Sequence, residues 1–146
     1  MERDFYLNHL RKHRLKVTPR REAILHLLVS ERRYFSPREV WSLLRKEFSQ
    51  LGLPTTYRIL EELRTIGLLT RIERQDRQLY YFFCEVPLTR HHHHFVCTSC
   101  KRVEAVEFCD FARMNRYVEN NLNGRAESHF LQIEGLCREC KEGERY

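Results

Sequence analysis

Two stretches concentrate the ligand chemistry of this 146-residue chain: His91-His92-His93-His94-Phe95-Val96-Cys97-Thr98-Ser99-Cys100, and Cys137-Arg138-Glu139-Cys140. Zinc prefers four tetrahedral ligands, and each Cys-x-x-Cys turn can supply two thiolates to one ion. Cys97, Cys100, Cys137 and Cys140 therefore read as a closed structural zinc site, which holds a fold together and has no open position for catalysis. The histidine run is a second feature. It lies deep in the chain and continues directly into apolar Phe95-Val96, which argues against an expression tag.

A strand has a side-chain period of two. If the run lies on a strand, His91 and His93 point to one face and His92 and His94 to the other, so one run can serve two metal sites. His129, expected on a later strand with Leu131 and Ile133, becomes a ligand candidate because a histidine pair is available to it. Cys84 sits between two halves of contrasting composition and is a ligand candidate there, with Glu85 as its competitor. Cys109, flanked by Phe108 and near Phe111, reads as a small core residue.

The other half carries a different chemistry. Residues 1–83 hold 17 Lys and Arg against 10 Asp and Glu, whereas residues 84–146 hold 9 against 10. All of the excess positive charge lies outside the metal motifs, which suggests a polyanion partner for the N-terminal half. Thr55, Thr56, Tyr57 and Arg58 open a helix, where Arg can read guanine and Tyr and Thr can meet phosphate or a thymine methyl. Lys16 and Arg20 can hold the backbone.

The elements that must position these residues are legible from caps and periodicity. A short basic helix spans Phe5–His13. Thr18-Pro19 opens a second helix with Ile24, Leu25, Leu27 and Leu28 on its apolar face. Ser36-Pro37-Arg38-Glu39 is a capping box that starts a third, carrying Val40, Leu43, Leu44 and Phe48. The fourth helix begins at Leu53-Pro54, carries Ile59, Leu60, Leu63 and Ile66, and ends at Gly67. Strands over Leu68–Arg74 and Gln78–Phe83 flank a polar turn at Gln75-Asp76-Arg77. Helices followed by a hairpin form the pattern of a winged helix. Cys84–Arg90, with Pro87, reads as the hinge. The second half reads as strand (His92–Val96), Cys-x-x-Cys turn, strand (Arg102–Val106), helix (Asp110–Leu122, stopped by Asn123-Gly124) and strand (Ser128–Leu136). The expected organisation is a domain over 1–83, a hinge over 84–90 and a metal-binding domain over 91–146. No apolar run approaches a membrane span, the first residues lack an apolar signal region, and six cysteines without such a region favour metal ligation in a cytosolic protein.

From Leu15-Lys16-Val17-Thr18-Pro19-Arg20 to Cys140, the chain resembles the ferric uptake regulator family. Gly52-Leu53-Pro54-Thr55-Thr56-Tyr57-Arg58-Ile59-Leu60 is close to the family's recognition-helix pattern, and the histidine run leads into Cys-x-x-Cys as it does there. The resemblance implies an α+β protein, with an N-terminal winged-helix DNA-binding domain hinged to a C-terminal α/β dimerisation domain. It also implies a homodimer that represses transcription from inverted-repeat operator DNA when a regulatory metal is bound. By position, Tyr57 and Arg58 match the DNA-contacting pair and Lys16 the basic residue before the second helix. The four paired cysteines match the structural zinc site, and His92 and His94 match the hinge sensing site. His91, His93 and His129 match a further site inside the dimerisation domain.

The chain departs from the family at four places. Arg33-Tyr34-Phe35-Ser36 lacks the histidine that iron- and peroxide-sensing members offer, and Thr70 stands where zinc-sensing members often have aspartate. Ala112 falls near the acidic ligand expected on the dimerisation helix, and Lys101 replaces a common glycine. These leave the fourth ligand of both non-structural sites unassigned. Cys84 after the wing resembles the zinc-sensing branch, and a Cys/His set is softer than the His/carboxylate sets suited to iron or manganese. The expected regulator is therefore zinc-responsive, with Fe(II) or Mn(II) regulation, or peroxide sensing, as the alternative within the family. Outside it stand a zinc-stabilised interaction or metal-storage module and a zinc hydrolase; against the hydrolase, the chain has no His-Glu-x-x-His helix.

Overall fold

A computed structural model describes residues 2–86 and 90–143. The chain divides into two compact units, 1–87 and 88–146. Pro87, part of the expected hinge, lies outside the described residues.

The first unit comprises helices α1 (Glu2–Lys12), α2 (Pro19–Glu31), α3 (Pro37–Leu44) and α4 (Leu53–Thr65), then strands β1 (Thr70–Glu73) and β2 (Leu79–Phe82). The caps are those expected. The Thr18 hydroxyl accepts from the Arg21 amide at the start of α2. At α3 the Ser36 hydroxyl accepts from the Glu39 amide while the Glu39 carboxylate accepts from the Ser36 amide. Such caps each contribute about 1 kcal/mol. Gly67, at φ 81°, turns the chain out of α4. Leu10, Ile24, Leu28, Val40, Leu60 and Leu63 are fully buried and form the centre of the core. Two expected contributors to α3 differ. The helix ends at Leu44, before Phe48, and Leu43 is 52% exposed.

The hairpin is antiparallel, with Ile72 opposite Tyr80, and its turn passes through Arg77 at φ 59°. Phe35 and Tyr81 exchange both backbone hydrogen bonds, at 2.9 and 2.8 Å, so the segment before α3 adds a one-residue bridge to the hairpin. A single bridging residue has no period for a sequence to display.

The second unit comprises β3 (His93–Cys97), β4 (Val103–Val106), α5 (Phe111–Leu122), β5 (Gln132–Gly135) and α6 (Arg138–Gly143). Strand β3 is central, antiparallel to β4 and parallel to β5. Asp110 caps α5 by accepting from the Arg113 amide, and Asn123, at φ 50°, ends it. Strand β5 is shorter than the expected Ser128–Leu136, and α6 was not anticipated. Among the described residues of this unit, only His93, Val96, Cys97 and Cys137 are buried. Helix α5 has no buried residue at all. This unit has almost no hydrophobic core of its own.

Candidate metal centres and nucleic-acid face

All six cysteines are free thiols. Cys97 ends β3, Cys100 lies in the turn after it, Cys137 precedes α6 and Cys140 lies on α6. Their four sulfurs all lie within 4.8 Å of one another, with Cys100 Sγ 3.7 Å from Cys137 Sγ. Zinc–sulfur bonds of about 2.3 Å at tetrahedral angles put sulfurs roughly 3.8 Å apart, so these residues fit a zinc ion with little movement. The turn is built by backbone hydrogen bonds from the Lys101 amide to the Cys97 carbonyl, 3.1 Å, and from the Cys97 amide to the Arg102 carbonyl, 2.9 Å. Burial opposes ionisation of Cys97, but the amides of Cys137, Cys100 and Ser99 outweigh it and hold that thiol below its ordinary range, whereas burial pushes the neighbouring Cys100 thiol up. Peptide dipoles from the Cys137 segment and from the turn thus favour the thiolate form at Cys97.

The histidine run alternates as a strand should. The rings of His91 and His93 lie 4.7 Å apart on one side, and those of His92 and His94 lie 4.7 Å apart on the other. On the first side, His129 Nε2 lies 3.0 Å from His93 Nε2. Cys109 Sγ lies 3.1 Å from His129 Nε2 and 3.2 Å from His91 Nε2. The four ligand atoms of His91, His93, Cys109 and His129 form one cluster. His129 lies in the loop ahead of β5 and not on the strand expected for it, with Phe111 stacked on its ring at 4.7 Å. Burial, and then the charges of His129 and His91, hold His93 below its ordinary pKa, in the neutral form that ligates metals. Cys109 is therefore not the core residue its neighbours suggested. Phe108 beside it is 73% exposed, so no apolar cluster forms there for the thiol to join.

On the other side of the strand, the His92 Nδ1–H donates to the Arg90 carbonyl at 2.7 Å, which directs the ring's lone pair to Nε2. In the first unit, Cys84 is half-buried, and burial pushes its thiol up. Glu85, its competitor, is ion-paired with Arg32 at 2.8 Å.

The candidate nucleic-acid face is built on α4. Tyr57 is 44% exposed and Arg58 is exposed. Three side-chain links hold the helix that carries them and the residues flanking it: Arg21 Nη2 meets Glu62 on α4 at 2.7 Å, Trp41 Nε1 donates to the carbonyl of Leu51 ahead of it at 2.7 Å, and a His9 ring nitrogen lies 2.6 Å from the carbonyl of Ile66 just after it. Arg21 also donates to the Lys16 carbonyl at 2.9 Å, which ties the backbone of exposed Lys16 to α2. Arg20 and Thr55 are half-buried. Thr56 corrects the expected set: it is fully buried, and its hydroxyl donates to the Gly52 carbonyl at 3.0 Å. It secures the first turn of α4 from inside and offers nothing to a groove.

Residues 12–134 match the model of the ferric uptake regulator family. The chain belongs to that family. It is 29% identical over 126 residues to the ferric uptake regulation protein of Bacillus subtilis, covering 86% of this chain and 85% of that one. It is 24% identical over 133 residues to the peroxide-responsive repressor PerR of Staphylococcus aureus, covering 91% and 87%. Among solved structures, a zinc uptake regulator complexed with zinc and DNA matches with a TM-score of 0.76 at 20% identity, covering 99% of this chain and 95% of that one. The ferric uptake regulator of Francisella tularensis with iron matches with a TM-score of 0.60 at 27% identity, covering 87% and 95%. These matches share the α+β architecture.

The departures from the family pattern have identifiable settings. Tyr34 and Phe35 are buried, and the Arg33 guanidinium lies over the Phe35 ring at 3.8 Å. That segment is spent on packing and on the bridge to Tyr81. Lys101 adopts φ 67°, a left-handed conformation natural to glycine. Exposed Ala112, near the expected acid, offers no donor, but Cys109 three residues earlier does. The signal that could have found Cys109 is arithmetic: four of the six thiols are paired by spacing, Cys84 follows the apolar run Leu79–Phe83, and Cys109 is left with only isolated Phe108 and Phe111 for company.

Proposed function

We propose that this protein is a metal-responsive transcriptional repressor that binds inverted-repeat operator DNA as a homodimer and responds to zinc. The observation that carries the reading is the outward-facing Tyr57–Arg58 pair on a helix tied down from three elements, within the unit that holds the excess positive charge. In a helix-turn-helix module, residues of the first turns of the second helix reach base edges. Arg58 would contact a base, Tyr57 and Thr55 the edges or phosphates beside it, and Lys16 and Arg20 the backbone.

Cys97, Cys100, Cys137 and Cys140 would hold a structural zinc ion. Cys84, His92 and His94 would hold the regulatory ion, whose chemistry is to bind one thiolate and two imidazoles from different domains. The metal-bound conformation is then the DNA-competent one, and a cation with higher affinity for that conformation shifts the population toward it. The engagement of Glu85 by Arg32 favours Cys84 as the first-domain ligand, and its thiolate favours zinc. The exposed residues Met114, Tyr117 and Leu122 on α5, with Phe130 and Ile133, fit burial against a second copy related by a two-fold axis. Two symmetric recognition helices call for an inverted repeat.

The similarity to iron and peroxide regulators supports a second reading, in which Glu85 leaves Arg32 and ligates iron or manganese. Operator retardation measured across Zn(II), Fe(II) and Mn(II) distinguishes the two. The first requires zinc-dependent retardation that Cys84→Ser shifts to higher zinc while the dimer and its structural zinc persist. Normal zinc response in Cys84→Ser with iron response lost in Glu85→Ala would establish the second. Binding of no DNA with any metal would leave a zinc-stabilised interaction or storage module.

A further inference from the structure

We propose that Cys109, as a thiolate, is the fourth ligand of a zinc-class cation held by His91, His93 and His129, a closed site contained within the second unit. The inference goes beyond the DNA-binding reading and does not depend on it.

Four observations carry it. First, the contact edges among these ligand atoms, 3.0 to 3.2 Å, are within a few tenths of an ångström of tetrahedral zinc, where nitrogens lie roughly 3.3 Å apart and nitrogen and sulfur roughly 3.6 Å apart. Second, His129 Nε2 faces both His93 Nε2 and Cys109 Sγ. One ring nitrogen offers either one lone pair or one hydrogen, so it cannot satisfy both neighbours, whereas a cation among converging lone pairs satisfies all of them.

Third, the nearby acids are committed elsewhere. Asp110 caps α5, Glu107 pairs with Arg90 at 2.9 Å, and Glu127 pairs with Arg125 at 2.9 Å. The Cys109 thiol is the anionic donor already aimed at the three imidazoles. Fourth, a cavity of about 350 Å³ lined by His91, Phe111, Glu127, Ser128 and His129 borders the cluster and gives a cation a way in. On binding, the S–H bond breaks, its proton leaves to solvent and the sulfur lone pair forms the metal–sulfur bond. A set of three imidazoles and one thiolate suits tetrahedral zinc or cobalt and poorly suits octahedral manganese. The site would clamp together β3, the segment between β4 and α5, and the segment ahead of β5.

The test uses the 146-residue chain in a Cys84→Ser background, with the tetrathiolate filled with zinc and the remaining sites titrated with Co(II). In that background Cys109 is the one cysteine left outside the tetrathiolate. The expected result is a thiolate-to-cobalt charge-transfer band with tetrahedral d–d absorption. Adding Cys109→Ser should abolish the band and weaken zinc binding at this site about tenfold or more. Adding Cys109→Asp, which keeps an anionic donor, should retain cobalt while losing the band, and it decides the matter if the serine variant does not fold. Absence of the band in Cys84→Ser, or an unchanged band and metal count after either Cys109 substitution, would overturn the proposal. No readout involves DNA, so failure of the repressor reading would be separately visible.

Discussion

At the scale of single residues, neighbours on α4 have opposite fates. Thr56 points inward and Arg58 outward, although both belong to the same four-residue opening. Arg58→Ala should cost roughly 1–3 kcal/mol of specific operator binding, as expected for a lost bidentate base contact. Lys16→Ala should weaken binding to all sequences alike and flatten its salt dependence. Thr56→Val should leave operator preference intact and cost about 1 kcal/mol of stability, because it removes one buried hydrogen bond and little volume. Binding isotherms at several salt concentrations, with thermal melts of the same proteins, separate the three behaviours.

Glu61 makes a second prediction at this scale. It accepts from Tyr81, Arg64 and Arg71. Burial opposes its charge, but these donors outweigh burial and hold its carboxyl below the ordinary 4.5. A depressed carboxyl contributes stability that is present above the unfolded value and lost as pH falls through the folded one. Acid titration of the first unit should therefore show a loss of stability beginning near pH 4.5. Glu61→Gln should be less stable at neutral pH and lose less on acidification. An acid limb of the same steepness in both proteins would remove Glu61 from that role.

At the scale of elements, α5 is the exception that matters. It is amphipathic and well capped, yet every residue on it is at least partly exposed. Tyr117, 62% exposed, lies on its apolar side with Met114. If α5 forms the proposed dimer interface, Tyr117→Glu should sediment as a monomer at micromolar concentration where the unsubstituted protein is a dimer, with the zinc content of the four paired cysteines unchanged. A dimer that survives the substitution places the interface elsewhere.

The elements also mark where sequence reading succeeded. Thr18-Pro19, the Ser36–Glu39 box, Gly67 and Asn123 announce helix ends through local hydrogen bonds or left-handed backbone, and local causes leave local traces. The paired thiols and the alternation of the histidines are legible for the same reason. What escaped depends on distant partners. The Phe35–Tyr81 bridge joins segments that no period connects, the burial of Thr56 is set by the packing of α4, and Cys109 becomes a ligand candidate only when the chain brings it to His91 and His129. Helix α6 is too short to show a face.

At the scale of the whole molecule, the two units hold themselves together differently. The first has a continuous apolar core of aromatic and aliphatic residues. Of the buried described residues of the second, three are candidate metal ligands. Burial supplies little of its folding free energy, and the proposed metal ions and second copy would supply the remainder. A strong zinc chelator should therefore cost the second unit its structure, and with it the proposed dimer, while the helical signal of the first unit persists. Circular dichroism followed through chelation, with Cys97→Ser and Cys140→Ser as controls, would reveal this. A single cooperative loss of all structure would instead make the units interdependent.

The run of identical histidines on β3 has a consequence for heredity as well as for folding. Its register is anchored downstream, by buried Val96 and Cys97 and by the pairing of Cys97 with Gly135. Because the four residues are interchangeable, a deletion of one anywhere in the run produces the same protein. The places of His92, His93 and His94 are refilled from upstream, and Arg90 moves into the place of His91. The tract therefore erodes from its outer end, and the Cys109 cluster loses a donor before the His92–His94 pair is touched. A one-histidine deletion should keep zinc-dependent operator binding while losing the Cys109-dependent cobalt band. Shrinkage of the tract by two would take His92 from the proposed regulatory site.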